Sequence, residues 1–408
     1  MNIEGWTELC LGEILCSKND KSKQVKSSEY QLIGLYPIID QSSDFICGYC
    51  DDSKKVINNE LPYTIFGDHT RHTKFVNFPF VVGADGTQII KPIQSVDDRF
   101  FFYLVSDAAN KIGNYGYDRH FKHLREFRCI FPIDKKEQTQ IAQVLSTIDR
   151  AIAQTEAIIA KQQRIKTGLM QDLLTKGIDE NGNIRSEDTH QFKDSAIGRI
   201  PAEWEVKILD KLAERGSGHT PNKSHPDYWN GGIKWVSLAD SSKLDQIYIF
   251  DTDKEISNQG LKNSSAVLHP KGTVIVSRDA GVGKSAILGR QMAVSQHFIV
   301  WKCGADLNNY YLYYWLQKDK PKFEGIASGS TIVTIGLQFF REYLIAVPKL
   351  INEQNLIAKI LRKSDKYIFK HKCSLEKQKR LKTGLMQDLL TGKVRVTNLL
   401  KEKEPASG

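Results

Sequence analysis

One segment of this chain occurs twice, and that internal repeat constrains the fold more than any other feature of the sequence. Residues 164–175 read RIKTGLMQDLLT and residues 380–391 read RLKTGLMQDLLT, at an offset of 216 residues (380 minus 164). The offset continues backwards without a gap, so that Asp149 matches Asp365. Self-similarity at a fixed offset is the sequence signature of a duplicated structural unit. We therefore predict two equivalent halves rather than one continuous domain.

Apolar residues in both copies recur at alternating steps of four and three, which predicts a long amphipathic helix with an apolar seam. The predicted seam residues are Ile141, Leu145, Ile148, Ile152, Ile159, Leu169 and Leu173 in the first copy and Ile357, Leu361, Ile368, Leu375, Leu385 and Leu389 in the second. At 1.5 Å per residue such a seam makes a rod of roughly 50 Å. The polar seam positions, Lys166 and Lys382 among them, weaken the seam but are able to fix its register. We favour an intramolecular antiparallel coiled coil between the two copies; the alternative is that each helix packs only on its own domain.

The segments ahead of the two helices carry short β-type runs, interrupted by Gly, Asn and Asp, and one aromatic helical patch each. The β-type runs are 63–66, 78–82, 274–276 and 298–301, and the aromatic patches are 100–104 and 310–316. We therefore predict two mixed α/β domains, called heads below, whose sequences share only anchors such as Trp6 and Trp204. The predicted order is a first head at 1–132, a first helix at 133–177, a polar linker at 178–197, a second head at 198–349, a second helix at 350–395 and a frayed tail at 396–408.

Charge and cysteine usage narrow the class of protein. The chain has 57 Lys and Arg against 48 Asp and Glu, a net charge of +9, and a basic balance favours a polyanionic partner such as nucleic acid. Its seven cysteines are odd in number and scattered, which fits a reducing cytoplasm and argues against a disulfide framework. No apolar run approaches the ~18 residues of a membrane span, and the first residues lack the pattern of a signal peptide. We therefore expect a cytoplasmic protein without membrane contact.

Residues 280–285 read AGVGKS and imitate a phosphate-binding loop. That motif requires a glycine five residues before Gly283, where this chain has Arg278. The residues that follow, 286–288, have the pattern of a strand, whereas the motif opens a helix. We therefore expect a glycine turn between two strands, and no bound nucleotide.

Two cysteines and two histidines in the first head imitate a zinc site. Cys47 and Cys50 are followed by His69 and His72, but the loop between the pairs is longer than in a zinc finger and the histidine spacing is shorter. We expect small buried thiols and polar loop histidines instead of metal ligands. The sequence also lacks a glycine-rich methyl-donor loop, a nucleophile elbow and clustered nuclease carboxylates, so we predict no catalysis by the chain itself.

The repeat and several shorter motifs together resemble the specificity subunit of a type I restriction-modification system. The resemblance covers nearly the whole chain and is most specific in the repeated KTGLMQDLLT helices. Its other carriers are IPAEW at 200–204, FGDHTR at 66–71, GADG at 83–86, GHTP at 218–221, Trp235-Val236 and KGTV at 271–274. The resemblance implies two α/β (α+β) target recognition domains, joined by two long helices that form an antiparallel coiled coil in a pseudo-twofold arrangement.

The resemblance also implies a function. Each head is expected to read one half of a split, asymmetric site on double-stranded DNA. The repeated helices are expected to set the spacing of the heads and to dock two modification subunits, which are the methyltransferases, with two restriction subunits joining that core as an ATP-dependent endonuclease. S-adenosylmethionine, ATP and Mg²⁺ are then expected in the partner subunits, with no cofactor and no metal in this chain. The chain itself is expected to be a non-catalytic subunit of a host-defence complex that methylates adenine.

Base reading needs Arg, Lys, Asn, Gln or Ser side chains at base edges, and phosphate anchoring needs cations or backbone amides. On that basis the candidate DNA-binding residues are Arg71, His72, Lys74 and Lys91 in the first head and Thr220, Lys223, Lys234, Arg278 and Lys284 in the second. Two alternative functions stay open at this point. One is a stand-alone nucleotide- or metal-dependent DNA enzyme, and the other is a coiled-coil scaffold without DNA specificity.

Overall fold

The computed structural model describes residues 3–83, 85–113, 119–279, 281–328 and 334–401. The chain divides into two compact units. The first unit consists of Met1–Ala157 with Cys373–Gly408, and the second consists of Ile158–Lys372. Each unit therefore contains one head together with parts of both repeated helices. Among the described helices, none combines the length and the apolar composition that a membrane span requires.

The first head is built on two four-stranded sheets and one two-stranded pairing. Its elements, with the long helix that follows it, are β1 (Trp6–Cys10), α1 (Leu11–Ile14), β2 (Leu15–Ser17), β3 (Gln24–Val25), β4 (Tyr36–Ile39), β5 (Gly48–Cys50), β6 (Tyr63–Gly67), β7 (Thr73–Val76), β8 (Val81–Gly83), β9 (Thr87–Pro92), α2 (Asp98–Lys111), α3 (His120–Glu126), β10 (Arg128–Pro132) and α4 (Lys135–Leu173). One sheet has the antiparallel order β2-β9-β6-β7, and the other has the order β3-β8-β4-β5 with β4 parallel to β8. Strand β1 pairs with β10 so that Trp6 lies opposite Pro132, just before α4 begins.

The second head follows a short hairpin and has one five-stranded and one four-stranded sheet. The remaining elements are β11 (Phe192–Lys193), β12 (Ile200–Pro201), β13 (Trp204–Ile208), β14 (Ala213–Ser217), β15 (Trp229–Val236), β16 (Tyr248–Ile249), β17 (Lys254–Ile256), α5 (Asn258–Lys262), β18 (Leu268–His269), β19 (Val274–Ser277), β20 (Ser285–Leu288), β21 (Met292–Val294), β22 (Phe298–Cys303), α6 (Asn309–Ser328), α7 (Leu337–Arg341), β23 (Leu344–Pro348), α8 (Ile351–Leu390) and α9 (Thr397–Lys401). The sheet orders are β14-β22-β19-β20-β16 and β17-β15-β21-β18. Strand β13 pairs with β23 so that Trp204 lies opposite Pro348, just before α8 begins.

The two heads share one topology although their sequences share only a few anchors. Strands β2, β9, β6 and β7 correspond in order and direction to β14, β22, β19 and β20, and the parallel pair β4 and β8 corresponds to β15 and β21. The second head adds β16, and its outer strand β18 runs antiparallel where β3 runs parallel. Buried positions accept different apolar residues of similar size, so a sheet keeps its topology after its sequence has diverged. The duplication therefore includes the heads, which differ in sequence almost everywhere.

Three of the four predicted β-type runs are strands, and both aromatic patches are helical. The run 78–82 is the exception, because β8 begins only at Val81 and Phe80 forms an isolated bridge with Ile57. On α6, every side chain from Tyr311 to Leu316 is at most 2% exposed. A helix that is apolar on all sides must be covered on all sides, and this helix lies in the core of the second head.

The two long helices run antiparallel within the first unit. Asp149 of α4 forms a salt bridge of 2.6 Å with Lys382 of α8, and Glu156 forms one of 3.0 Å with Lys379. Residue numbers therefore increase along one helix while those of their partners on the other helix decrease. Over both units, the predicted seam residues that are buried are Ile141, Leu145, Ile148, Ile159, Leu173, Ile357, Leu361, Ile368 and Leu389, and those that are half-buried are Ile152, Leu169, Leu375 and Leu385.

In each unit, the end of one long helix packs into the core of the head beside the start of the other long helix. These core residues are Leu389 and Leu390 with Ile141 and Leu145 in the first unit, and Leu173 and Leu174 with Ile357 and Leu361 in the second. Burying a leucine or isoleucine contributes roughly 1.5–3 kcal/mol. Each long helix is therefore shared between the two units, and the unit boundaries cross the helices instead of falling between the predicted segments.

An arginine–glutamate pair holds the chain that follows each long helix. In the first unit, the guanidinium of Arg395 donates to both carboxylate oxygens of Glu137, at 2.6 and 2.7 Å. In the second unit, the guanidinium of Arg185 donates to both oxygens of Glu353, at 2.5 and 3.2 Å. The two glutamates occupy equivalent positions in the repeat, at the offset of 216 (353 minus 137). We call each such pair a clasp.

The clasps lie within or next to two segments that were predicted to be a polar linker, 178–197, and a frayed tail, 396–408. Ile178 is 2% exposed and Val396 is 4% exposed, and both pack in the core of their unit. Helix α9 follows Val396, and residues 402–408 lie outside the described part of the chain. The few apolar residues of these segments are too short a set to give a sustained periodic signal, which is why the sequence did not predict this packing.

Candidate nucleic-acid interface

Three loops of the first head converge on Gln41. The side-chain amide of Gln41 donates to the carbonyl of Asp85 (2.8 Å), and its side-chain oxygen accepts from the backbone N–H of His69 (3.1 Å). The hydroxyl of Thr70 donates to the carbonyl of Gln41 (2.5 Å). Gly86 has a φ of +86°, and a Cβ at that position would lie 2.7 Å from the side chains of Gln41 and His69, so the turn requires glycine. We call this convergence the first tip; it comprises residues 41–44, 67–72 and 85–86.

The second head has an equivalent convergence, which we call the second tip; it comprises residues 218–220, 278–279, 281–284, 295–297 and 334–335. The backbone N–H of Arg278 donates to the carbonyl of His297 (3.0 Å), as the N–H of Asp68 donates to the carbonyl of Gly86 (2.7 Å) in the first tip. The carbonyls of Asp68 and Arg278 each accept a further backbone hydrogen bond of 2.9 Å, from the first residue of α3 and from the segment that leads into α7 respectively. The two tips therefore have one backbone framework and different side chains.

Hydrogen bonds connect polar side chains across the second tip. The hydroxyl of Thr220 donates to the side-chain oxygen of Gln296 at 2.6 Å. The carboxylate of Asp279 contacts the imidazole of His297 and accepts a hydrogen bond from the hydroxyl of Thr334. Amide, hydroxyl and imidazole groups held at the end of a sheet are of the kind that form hydrogen bonds with base edges. The second tip thus presents hydrogen-bonding groups whose positions are set by their neighbours.

A charge cluster lies beneath the surface of the first tip. Lys74 is 5% exposed, and its ammonium donates to the carbonyl of Asp44 and lies 3.9 Å from the carboxylate of Asp40. Burial raises the pKa of Asp40, but hydrogen bonds from the Cys47 thiol and from Ser42 outweigh burial and hold that pKa below its usual value. Burial, together with the hydrogen bond to Asp40, raises the pKa of the Cys47 thiol. The cluster therefore joins an ionised carboxylate to an ammonium and a protonated thiol, and it holds the loop after β4 in place.

The four candidate DNA-binding residues of the first head occupy different environments. Arg71 and His72 lie in the first tip, where the guanidinium of Arg71 donates to the carbonyl of Ile112 (2.9 Å) and His72 is exposed. Lys74 lies beneath the tip rather than on it, because its ammonium is buried among its partners. Lys91 lies on β9 five residues after Gly86 of the tip, roughly 17 Å away at about 3.3 Å per residue. Of the four, His72 has the side chain that is exposed at the tip.

The five candidates of the second head are more closely grouped. Thr220, Arg278 and Lys284 lie in the second tip, where the Nε of Arg278 donates to one backbone carbonyl (3.1 Å) and the Nζ of Lys284 to another (3.2 Å). Lys223 is exposed on the loop that leaves the tip. Lys234 forms salt bridges with two carboxylates, at 2.5 and 2.7 Å. Contact with DNA stays a prediction for all five, and Lys223 has the exposure that a phosphate contact needs.

The segment that imitates a phosphate-binding loop is a turn between strands, as the sequence analysis predicted. Strands β19 and β20 pair in antiparallel register on either side of it, and Gly281 and Gly283 have φ values of +77° and +80°. Lys284 donates to the carbonyl and hydroxyl of Ser241. Because a strand follows Lys284, the turn does not open a helix whose N-terminus would bind phosphate. Ala280, the first residue of the motif, lies outside the described residues.

The residues that imitate a zinc site have other partners. The thiol of Cys47 donates to Asp40 (2.7 Å), and the imidazole of His72 lies 3.3 Å from the carbonyl oxygen of Gln41. Over the described ranges, no three or more His, Cys, Asp and Glu side chains are grouped so as to hold a metal ion.

Sequence reasoning missed one glutamine in each tip. Gln41 follows the buried end of β4, and Gln296 stands between β21 and β22. A polar residue two positions after a buried strand was the available signal, but many such residues are ordinary loop positions. The pairing of β4 with β8 and of β19 with β22, which no local pattern predicts, is what brings each glutamine to its tip.

Both units carry the same polar triad where the long helices meet. The triads are Tyr103, Asp149 and Lys382 in the first unit and Tyr314, Asp365 and Lys166 in the second. In each, the aspartate accepts one hydrogen bond from the lysine, at 2.6 Å in both units, and one from the tyrosine hydroxyl, at 2.7 and 2.6 Å. Burial, with the aspartate nearby, raises the pKa of each tyrosine, which stays a hydrogen-bond donor. Each seam lysine thus pairs with one aspartate on the facing helix. Because that pair forms only when the two helices are aligned at these positions, it fixes the register of the helix pair.

Comparison with known proteins finds relatives of both halves of the chain. A family model described as the type I restriction modification DNA specificity domain matches residues 3–163 and 201–379. The type I restriction enzyme MjaIX specificity subunit of Methanocaldococcus jannaschii is 33% identical over 183 residues, which are 44% of this chain and 41% of that subunit. The matched region therefore spans less than half the length of that relative. The type I restriction enzyme EcoR124I/EcoR124II specificity subunit of Escherichia coli is 23% identical over 371 residues, or 88% of this chain and 86% of that subunit.

The fold is also similar to a solved structure. The crystal structure of a type I restriction-modification system S subunit from M. genitalium matches with a TM-score of 0.61 at 13% identity, over 94% of this chain and 96% of that one. A likeness at this identity concerns the fold alone. It agrees with two α/β heads, each followed by a long helix.

Proposed function

Because this chain belongs to the type I restriction modification DNA specificity family, we propose that it is the subunit that recognises the DNA sequence for a type I restriction-modification complex in the cytoplasm. One observation carries this proposal: two heads of the same topology end in tips that share a backbone framework and differ in their side chains. A reader of two different short sequences needs a common scaffold with unlike contact residues. The net charge of +9 supports a polyanionic partner.

We further propose that the recognised site is bipartite and asymmetric, with each tip reading one half. The first tip contains Gln41 and the exposed His72, and the second contains Thr220, Arg278 and the exposed Gln296. Glutamine is suited to adenine and arginine to guanine in the major groove. Unlike side chains on equivalent frameworks support two half-sites of different sequence.

The proposed partners are two modification subunits that dock on the long helices. Each unit contains an antiparallel helix pair with the same triad and the same clasp, and two identical subunits need two matching surfaces. In this proposal two restriction subunits join that core, S-adenosylmethionine, ATP and Mg²⁺ act in the partner subunits, and this chain contributes recognition without catalysis.

The test is methylation sequencing of a random-sequence DNA library. The purified chain alone is expected to methylate nothing, and the chain with its modification subunits is expected to methylate adenine in one split motif. Replacing residues 1–132 with the first head of another family member is expected to change one half of that motif and leave the other half. Methylation by the chain alone, or a motif unchanged by the exchange, would contradict the proposal.

A second test uses two lysines of the second head. Lys223 is exposed beside the second tip, whereas Lys271 is exposed before β19, at the end of that strand away from the tip. If Lys223 binds a phosphate, Lys223→Ala is expected to make the negative slope of log Kobs against log salt concentration shallower by about 0.9. Lys271→Ala is the matched control and is expected to leave the slope unchanged. Equal slopes for both variants would remove Lys223 from the interface.

A further inference from the structure

The two copies of the repeated helix differ on one outward face. On α8, four exposed lysines are spaced by four, three and four residues and therefore lie on one side of the helix. We call them the basic face; they are Lys359, Lys363, Lys366 and Lys370. Arg362, Tyr367 and Phe369, all exposed, flank them. The one acidic residue between 359 and 372, Asp365, is paired with a seam lysine on the other helix.

The first copy of the repeat has almost no charge on the corresponding face. At the offset of 216, the basic face corresponds to Gln143, Thr147, Arg150 and Gln154, all of which are exposed. The flanking positions are Ser146, Ala151 and Ala153. One cation therefore stands where the second copy has four. Since both copies build the same helix with the same seam, packing requires neither set of outward residues.

The basic face has no counter-ions within the described part of the chain. None of its four lysines forms a salt bridge there with an aspartate or a glutamate, while Lys166 and Lys382 in the seam both do. Like charges three and four residues apart destabilise a helix. An unpaired row of this kind is suited to an external polyanion, which releases counter-ions when it binds.

We propose that the basic face binds the sugar–phosphate backbone of the double-stranded DNA that the heads read. This inference rests on the proposed function and adds to it a DNA contact outside the heads. The row extends over 11 residues (370 minus 359), or roughly 17 Å at 1.5 Å per residue. That is the length of about five base pairs at 3.4 Å each.

The asymmetry of the basic face favours DNA over a modification subunit. Two copies of one subunit that dock on equivalent surfaces need the same residues on both surfaces. The basic face exists in one copy of the repeat and is replaced by Gln and Thr in the other. A DNA site with two unlike halves does not require the same residues on both copies of the helix. Lysine ammonium groups bind phosphates as point charges.

The experiment transfers the outward residues of the first copy to the second. The variant Lys359→Gln, Lys363→Thr and Lys370→Gln uses side chains that α4 already carries at the equivalent positions, and Lys366 is kept because α4 has a cation there. Binding of the full-length chain to a labelled duplex is measured as a function of salt concentration. If all three lysines contact phosphates, the negative slope of log Kobs against log salt is expected to become shallower by about 2.7, at about 0.9 per contact. The bound sequence is expected to stay the same.

The matched control replaces the flanking rings, Tyr367→Ala and Phe369→Ala, with the alanines of the first copy, and its slope is expected to equal that of the unsubstituted chain. Circular dichroism shows whether each variant keeps its helix content. An unchanged slope for the lysine variant overturns the inference, and loss of modification-subunit binding with an unchanged slope assigns the face to a protein partner instead. Absence of DNA binding by the unsubstituted chain, with and without modification subunits, refutes the proposed function itself.

Discussion

Removing one charge from the triad of the second unit tests how polar pairs hold the long helices together. The Nζ of Lys166 lies 2.6 Å from Asp365, and the two side chains are 19% and 20% exposed. Asp365→Asn keeps the size of the side chain but leaves the ammonium without its counter-ion. A hydrogen bond to a charged group contributes about 1.5–3 kcal/mol, and breaking a fully buried pair costs about 3–5 kcal/mol. Because a fifth of each side chain reaches water, we expect the free energy of unfolding to fall by about 2–3 kcal/mol.

The first unit provides the matched comparison. The Nζ of Lys382 lies at the same distance, 2.6 Å, from Asp149, but these side chains are 31% and 32% exposed. Water screens a more exposed pair, and such pairs contribute less. We therefore expect Asp149→Asn to cost about 1–2 kcal/mol. The predicted order, with Asp365→Asn the more damaging, depends only on the difference in exposure.

Urea unfolding measures both variants. Five of the six tryptophans lie in the second unit and Trp6 lies in the first, so tryptophan fluorescence reports mainly the second unit, while far-UV circular dichroism includes the helices of both. A double-mutant cycle of Lys166→Met with Asp365→Asn is expected to show a coupling energy of at least about 1 kcal/mol. A coupling below about 0.5 kcal/mol, or an Asp149→Asn cost equal to that of Asp365→Asn, would refute this reasoning.

Three further measurements test other contacts in the second unit. A Cβ on Gly218 would lie 1.7 Å from the carbonyl oxygen of Val294, so Gly218→Ala is expected to lower the free energy of unfolding by at least about 2 kcal/mol; an unchanged urea midpoint would contradict the close approach. Burial lowers the pKa of His269 in the folded protein. The contribution of the neutral His269 to stability is therefore complete above the unfolded pKa of about 6.5 and is lost as the pH falls below that value. His269→Gln should make the urea midpoint less dependent on pH between about 7.5 and 5. Arg185→Gln removes both hydrogen bonds of a clasp from the mostly buried carboxylate of Glu353, and it is expected to lower the free energy of unfolding by about 3 kcal/mol. Arg185→Lys should lower it by less. Equal urea midpoints for the two variants would argue against the bidentate geometry.

The sequence by itself determined the features that depend on local periodicity. The offset of 216 and the steps of four and three predicted a first helix at 133–177, and α4 spans Lys135–Leu173. The aromatic patches at 100–104 and 310–316 were predicted to be helical, and they lie in α2 and α6. The duplication is also visible without any structure, because the ten consecutive residues 166–175 are identical to 382–391.

Only the tertiary structure decided how the duplicated parts combine. The clasp between Arg395 and Glu137 joins residues 258 positions apart, and the pair Lys166 and Asp365 joins residues 199 positions apart. Contacts over such separations leave no periodic signal, because they depend on chain folding and not on neighbouring residues. The same holds for the shared topology of the heads and for the burial of Lys74, which looked like a surface cation in the sequence. The repeat thus predicted that two equivalent halves exist, while long-range pairing decided that each half is completed by the end of the other half's helix.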